Sequence, residues 1–182
     1  MGNYKESMNE SSDLLKIAVM SYYRFRRGWI CADETMDADV LVDSGTEIIE
    51  VEVKVSRYDL MVSEKKKPKH LYWKANPPAY RTRMPNSFLI CVPSKLVPDA
   101  LEFIEEVNPA YGLIEFDSSK YERLAERMER PPIEECVVIR RRAKGICKDY
   151  PKQLKDALCL RLTSSLIGKM KSKLFEREKV EK

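Results

Sequence analysis

The sequence predicts an α/β fold in which helices flank a mixed β-sheet and a long helix follows at the C-terminus. Apolar residues recur every three or four positions in residues 11–26 and again from residue 152 onward, which is the period of a helix with one buried face. Between these segments, short apolar or alternating runs are separated by turn residues, as in strands. With 182 residues, of which 43% are hydrophobic, the chain is expected to form one domain.

The first third of the chain predicts a helix followed by three antiparallel strands. Ser11 or Ser12 is the expected N-cap of the helix, and Gly28 follows its last turn. Two short alternating segments, GWICADE and ADVLVD, then lead through a turn into EIIEVEVKV. We therefore expect an antiparallel meander behind the first helix.

The rest of the chain predicts a parallel strand pair, a further strand and the terminal helix. The basic stretch after Tyr58 is expected to begin as a helix and then to become a loop, because Pro68, Pro77 and Pro78 interrupt it. SFLICVP reads as a buried central strand, and DALEFIEEV and YGLIEFD complete a strand-helix-strand unit. A charged helix over residues 118–129 and the strand CVVIRRRAK follow. The terminal helix carries one apolar stripe, formed by Leu154, Leu158, Leu162, Leu166 and Met170.

The composition excludes several classes of protein. No apolar run approaches the roughly 18 residues that a membrane helix needs, and the polar start lacks the pattern of a signal peptide, so we expect a cytoplasmic protein without a membrane partner. The five cysteines form no Cys-x-x-Cys pair, which argues against a zinc ribbon. The net charge of +4 is modest, but the basic residues are concentrated in local blocks, as in proteins that bind nucleic acid.

Acidic and basic side chains are expected to meet on one face of the third strand. Because successive side chains of a strand point to opposite faces, Glu50, Glu52 and Lys54 share a face while valine and isoleucine occupy the other. Asp39 lies on the preceding strand, a short hairpin away. Hard oxygen ligands beside a cation are the groups that metal-assisted phosphodiester hydrolysis requires.

The set of Asp39 followed by Glu52-Val53-Lys54 resembles the PD-(D/E)XK nuclease superfamily. The segments KVSRYDL, KPKHLY and PNSF before LICVP, and the later PAYGLIEFD, are similar to the MmcB-type group of DNA-repair nucleases. The resemblance covers about residues 10–117 and leaves 118–182 as a helical, basic extension of the same domain. It implies a restriction-endonuclease-like sheet and a metal-dependent nuclease that hydrolyses phosphodiester bonds, in DNA, during repair or recombination.

Within that resemblance, Asp39 and Glu52 would bind one or two Mg²⁺ or Mn²⁺ ions with help from the carbonyl of Val53. Lys54 would orient or help deprotonate the attacking water and offset charge on the phosphate. Asp37 is the rival to Asp39, but it precedes the apolar alternation and is expected in the turn.

The first helix often adds an acid to the site in this superfamily. Glu6, Glu10 and Asp13 can share a helix face, and Glu10 is our choice as a further metal ligand. The alternative is that these acids only stabilise the N-terminus of the helix through its dipole.

Three further residues are assigned to the surroundings of the site. Glu50 is expected either to support Glu52 or to face solvent. Ser56 and Asp59 either cap the next helix, or one of them braces Lys54 or a metal-bound water, and the sequence favours neither role.

A basic, aromatic segment after the third strand is expected to bind nucleic acid through phosphates and base stacking. The alternative is a solvated lysine loop. The residues assigned to this surface are Lys66, Lys67, Lys69, His70, Tyr72, Lys74, Arg81 and Arg83.

Two other classes of function stay open at this point. A catalytically silent nucleic-acid-binding or scaffold subunit would keep the fold and the basic surface without turnover. If the apolar stripe of the terminal helix is a dimer seam and not core, the protein is a homodimer built around that helix.

Overall fold

The fold is a six-stranded mixed β-sheet with helices on both faces, as the sequence predicted. The computed structural model describes residues 11–180, with side chains described as far as residue 172. The strands are β1 (Ile30–Thr35), β2 (Ala38–Asp43), β3 (Ile48–Val53), β4 (Ser87–Pro93), β5 (Gly112–Phe116) and β6 (Val137–Arg141). The α-helices are α1 (Ser12–Ser21), α2 (Lys69–Ala75), α3 (Val97–Val107), α4 (Ser118–Ala125) and α5 (Lys152–Val180).

The strands are ordered in space as they are in the chain, from β1 to β6. The pairs β1–β2 and β2–β3 are antiparallel, which confirms the predicted meander. The pairs β3–β4 and β4–β5 are parallel, and β6 returns antiparallel to β5. Helix α3 connects β4 to β5, so the predicted strand-helix-strand unit is also confirmed.

Two apolar layers cover the two faces of the sheet. On one face, Leu15, Ala18 and Val19 of α1 pack against alternate residues of the strands, including Val51. On the other face, α3 and the segment after β3 enclose an aromatic core around Phe88. The β3 residues Ile48 to Val53 are all buried, so this strand is covered on both faces and does not present a solvated outer face.

The start of α1 follows the predicted cap, because Ser11 Oγ accepts a hydrogen bond of 3.2 Å from the N–H of Leu14. The helix continues as a π-helical turn over Tyr22–Arg26, after which Gly28 has φ of 74°. The left-handed conformation at Gly28 favours glycine, as the sequence indicated.

The basic segment after β3 is more helical than expected. A π-helical turn over Asp59–Glu64 precedes α2, and a 3₁₀ helix over Pro78–Arg83 follows it. The helical start was predicted, but the prediction of a loop from Pro68 onward was wrong, because Pro68 stands at the N-cap of α2, where a missing N–H costs no intrahelical hydrogen bond.

The apolar stripe of α5 divides into two parts. Leu154 and Leu158 are buried against Ala32, Leu41 and their neighbours on the sheet. Farther along α5, the stripe residues Leu162, Leu166 and Met170 are exposed. The stripe is therefore core only over its first two turns, and a dimer formed by its exposed part stays a prediction that light scattering can test.

Asn86 fixes the chain as it approaches α5. Its side-chain Oδ1 accepts from the N–H of Ile48 at 2.8 Å, and its Nδ2 donates to the carbonyl oxygens of Cys147 and Asp149, both at 3.0 Å. Each polar atom of this buried side chain is thus paired. Asn86 joins the start of β3 to the loop that leads into α5.

Gly112 allows the end of β6 to pass close to the start of β5. A Cβ atom at this position would lie 2.7 Å from the backbone nitrogen of Ala143 and 2.9 Å from the carbonyl oxygen of Arg141. We expect Gly112→Ala to lower the free energy of unfolding by about 2 kcal/mol, because backbone atoms would have to move. Urea denaturation measures the loss. Gly168→Ala is the control: it lies within α5 with nothing within 4 Å of the added atom, and we expect it to stabilise by about 0.5–1 kcal/mol.

Candidate active site

Asp39, Glu52 and Lys54 meet on one face of the sheet. Val40 of β2 is paired with Val51 of β3, so Asp39 and Glu52, one residue beyond this pair on each strand, lie opposite each other. The Nζ of Lys54 lies 2.9 Å from Glu52 Oε2 and 3.7 Å from Asp39 Oδ2. Lys54 is therefore within ion-pair distance of both carboxylates that the sequence selected.

Asp39 is the most accessible carboxylate of this group, with a fifth of its side chain exposed. Its Oδ2 accepts a hydrogen bond of 2.8 Å from the N–H of Val53, and its Oδ1 lies 3.4 Å from the Nζ of Lys16 on α1. Burial and the neighbouring charge of Glu52 raise the pKa of Asp39, although both lysines act against the shift. A further cation beside Asp39 and Glu52 would reduce the repulsion between the two carboxylates.

Glu52 is almost completely buried, and ammonium groups contact both of its oxygens. Oε2 accepts from Lys54 and Lys67, each at 2.9 Å, and Oε1 accepts from Lys69 at 2.6 Å. Burial opposes ionisation of Glu52, but the charges of Lys69 and Lys54 outweigh it and hold the pKa below its ordinary value. Glu52 is therefore an ionised carboxylate within a shell of lysines.

Glu50 is part of the same cluster, and the alternative in which it faces solvent is corrected. Its side chain is 8% exposed, and Oε1 accepts a hydrogen bond of 2.8 Å from the Nζ of Lys69. Lys69 thus links Glu50 to Glu52. Burial raises the pKa of Glu50 to about 6, with Lys69 acting in the opposite direction.

Glu64 belongs to the site and was missed by the sequence analysis. Its side chain is fully buried at the end of the π-helical turn, with Oε2 lying 2.7 Å from Lys67 Nζ and 3.1 Å from Lys54 Nζ. Burial opposes its ionisation, yet hydrogen bonding to His70 and the charges of Lys69 and Lys54 hold its pKa well below the ordinary value. The spacing in the sequence could have indicated that Glu64 is directed inward, because it follows the buried Leu60 by four residues.

His70 lies in the core and not on the nucleic-acid-binding surface to which the sequence assigned it. Its ring is buried among aromatic side chains, with Nε2 lying 3.1 Å from Glu64 Oε1 and Nδ1 lying 2.8 Å from the hydroxyl of Tyr111. Because Nε2 faces the carboxylate and the backbone carbonyl of Glu64, which can only accept, it donates to Glu64. The assignment of His70 to nucleic-acid binding is therefore wrong, because both ring nitrogens are engaged inside the core.

The residues expected around the motif are placed as follows. Ser56 Oγ accepts from the N–H of Asp59 at 3.1 Å, so Ser56 adopts the capping role, whereas Asp59 contributes its backbone N–H to that bond. Both residues are exposed, so the expectation that they brace Lys54 is corrected, and a role at a metal-bound water stays a prediction. Asp37 lies in the β1–β2 turn with φ of 67°, as predicted. Glu10 lies outside the described residues. From α1 it is Lys16, also missed, that reaches Asp39.

The remaining basic residues form an exposed surface before, on and after α2. Lys66, Lys74, Arg81 and Arg83 are exposed, with Arg83 Nε bound to Gln153 Oε1 at 2.7 Å. Tyr72 stacks on Tyr80 with ring centroids 4.9 Å apart, and both rings are partly exposed. By contrast, Lys67 and Lys69 point to the carboxylates.

The carboxylates of Asp39 and Glu52 suit a hard divalent cation in their chemistry. Mg²⁺ is commonly bound through one or two carboxylates, with substrate phosphates and waters completing its coordination. Burial is the main cause of the raised pKa of Asp39 and the charge of Glu52 adds to it, so positive charge beside the two carboxylates would favour the ionised form of Asp39. Val53 contacts Asp39 through its N–H, and the role of its carbonyl as a metal ligand stays a prediction. Among residues 11–172, no group of three or more His, Cys, Asp and Glu side chains is arranged to hold a metal ion.

Comparisons with known proteins return no relative: no family model, no curated protein and no solved structure matches the chain. Over the described residues, no helix has both the length and the apolar character needed to cross a membrane.

Proposed function

We propose that this protein is a Mg²⁺- or Mn²⁺-dependent nuclease that hydrolyses phosphodiester bonds, with DNA as the substrate. The observation that carries the proposal is the contact of Lys54 with both Glu52 and Asp39 on neighbouring strands. Two carboxylates and an ammonium group at this separation can serve a cation and a phosphate together. The resemblance of these residues to the PD-(D/E)XK motif supports the same activity.

Lys54 acts in this proposal as a fixed positive charge. Burial disfavours its charged form, but Glu52, Glu64 and Asp39 outweigh burial and raise the pKa of Lys54. A lysine that stays protonated cannot accept a proton from water. It can donate hydrogen bonds to a phosphate oxygen and stabilise the charge that develops there, so charge stabilisation is favoured over the role of a base.

A divalent cation held by Asp39 and Glu52 would supply Lewis-acid polarisation of the phosphate and a more acidic bound water. The protein itself excludes bulk water from Glu52, which is 1% exposed, and orients Asp39 through the N–H of Val53. Lys16 also contacts Asp39 from α1. These contacts limit the movement of both carboxylates.

Nucleic acid is the proposed substrate because cationic and aromatic groups surround the exposed side of α2. The chain has no Asp or Glu between Glu64 and Asp99, while lysine and arginine recur through that interval. Lys66, Lys74 and Arg81 are exposed there, near the Tyr72–Tyr80 stack. Such a surface binds phosphates without reading a base sequence.

The test is calorimetry with Mn²⁺ on the purified protein. We expect the double variant Asp39→Asn, Glu52→Gln to bind Mn²⁺ at least about tenfold more weakly than wild type, because both ligands lose their charge. Glu34→Gln is the matched control, since Glu34 is an exposed acid that pairs with Lys16. Equal Mn²⁺ affinity in wild type and the double variant would show that the cation site is wrongly assigned.

A second candidate is a catalytically silent nucleic-acid-binding subunit. It is favoured by the lysine contacts to both oxygens of Glu52, which already neutralise that carboxylate. A screen of single-stranded, duplex and branched DNA with Mn²⁺ separates the two candidates, because the silent subunit binds these substrates without cutting any of them.

A further inference from the structure

Two lysines assigned to the nucleic-acid surface contact the carboxylate cluster instead. Lys69 Nζ lies 2.8 Å from Glu50 Oε1 and 2.6 Å from Glu52 Oε1. Lys67 Nζ lies 2.9 Å from Glu52 Oε2 and 2.7 Å from Glu64 Oε2. Both ammonium groups therefore stand among the oxygens that a divalent cation at Glu52 would need.

These two lysines differ from Lys54 in their position on the chain. Lys54 directly follows β3 and is 9% exposed, whereas Lys67 and Lys69 come from the basic segment and are 38% and 20% exposed. Their flexible four-carbon side chains have several donors and can turn from one anionic partner to another. Lys66 and Lys74, on the same segment, already face solvent.

We propose that Lys67 and Lys69 exchange between the carboxylate cluster and the phosphates of bound nucleic acid. In the free protein they neutralise Glu50, Glu52 and Glu64. When phosphates approach the basic segment, these ammonium groups turn to the phosphate oxygens and free Oε1 of Glu52 for a divalent cation, while Lys54 keeps its contact with Oε2. This inference rests on the proposed nuclease function and adds the regulation of its site: nucleic acid and the cation assist each other's binding.

The expected linkage is reciprocal. If nucleic acid strengthens cation binding by some factor, the cation must strengthen nucleic-acid binding by the same factor. Couplings between two sites in proteins are commonly about 5- to 150-fold. Since the exchange removes up to two ammonium contacts from Glu52, we expect a coupling in the lower part of this range, about fivefold to tenfold.

The first measurement needs no variant. Ca²⁺ binds oxygen ligands with a looser geometry than Mg²⁺ and is used here so that the DNA stays intact. Calorimetric titration of wild type with Ca²⁺, alone and with a saturating DNA duplex, should show about fivefold tighter binding in the presence of DNA. The double variant Asp39→Asn, Glu52→Gln, measured in parallel, gives the Ca²⁺ bound by the DNA itself.

The second measurement removes the lysines. We expect Lys67→Ala and Lys69→Ala to bind Ca²⁺ about fivefold more tightly than wild type without DNA, and to gain less when DNA is added. Lys66→Ala is the matched control, because it deletes the same charge from an exposed position of the same segment. Lys67 is the less buried of the two lysines, so Lys67→Ala keeps the comparison valid if Lys69→Ala fails to fold.

The outcomes separate this inference from the proposed function. One outcome is cation binding that requires Asp39 and Glu52 but has the same affinity with DNA, without DNA and in both lysine variants. This outcome overturns the exchange and leaves the proposed nuclease function standing. The other outcome is that cation binding by wild type and by the lysine variants does not depend on Asp39 and Glu52. The cation site is then wrongly assigned, and the exchange is overturned together with it.

Discussion

Replacing Lys54 by methionine is expected to lower the rate of Mn²⁺-dependent cleavage by about a hundredfold or more. In the proposed reaction the ammonium group of Lys54 stabilises charge that develops on the phosphate, and the loss of such a contact lowers turnover more than binding. The measurement is single-turnover cleavage of DNA with enzyme in excess, together with DNA affinity in Ca²⁺.

Two control variants make the result of Lys54→Met specific. Lys54→Arg keeps the positive charge beside Glu52 and Glu64 and is expected to stay folded, but its planar guanidinium cannot reproduce the position of the ammonium group. Lys16→Met removes the other lysine beside Asp39 and should reduce the rate less. Thermal unfolding of each variant separates a lost charge from a lost fold.

The catalytic assignment of Lys54 would be overturned by either of two results. One is a Lys54→Met variant that cuts as fast as wild type. The other is wild-type protein that cuts no single-stranded, duplex or branched DNA and no RNA in the presence of Mn²⁺.

Replacing Glu64 by alanine is expected to lower the free energy of unfolding by about 3–5 kcal/mol at neutral pH. The carboxylate is fully buried and contacts Lys54, Lys67 and His70. Its removal deletes one acceptor of Lys54 and of His70 and leaves the buried positive charge of Lys54 less balanced, which costs more than the loss of an exposed pair. Urea denaturation of wild type and Glu64→Ala measures the difference.

Glu106→Ala is the matched control for this prediction. Glu106 pairs with Lys65 at 2.5 Å, but both side chains are 43% exposed, so we expect a loss of only about 0–1 kcal/mol. If Glu64→Ala and Glu106→Ala lose the same small amount of stability, Glu64 does not hold the cluster together.

The stability due to Glu64 should also depend on pH in a defined direction. Its pKa is held well below the ordinary value in the folded protein, so its contribution is complete above the unfolded pKa of about 4.3 and declines as the pH falls below that value toward the folded pKa. Wild type should therefore lose part of its advantage over Glu64→Gln between pH 5 and the acid limit of folding. An advantage that is constant over this range would contradict the depressed pKa.

The sequence by itself determined the elements around β3 and the residues that meet there. Strand alternation places Glu50, Glu52 and Lys54 on one face, and a short hairpin fixes Asp39 opposite Glu52 because antiparallel neighbours in a meander have few registers. The cap at Ser11 and the parallel pair β4–β5 follow from equally local patterns. These features depend on residues close together in the chain.

Only the tertiary structure decided which charges complete the site. Glu64, Lys67 and Lys69 are 10 to 15 residues from Lys54, and their approach to Glu52 depends on how the π-helical turn and α2 pack above the sheet. His70 is buried for the same reason: α2 presents it to Phe88 and Tyr111, which lie on β4 and before β5. Sequence patterns report the period of each helix and strand. Whether a lysine reaches a carboxylate or stays free for a phosphate depends on how one element packs on another.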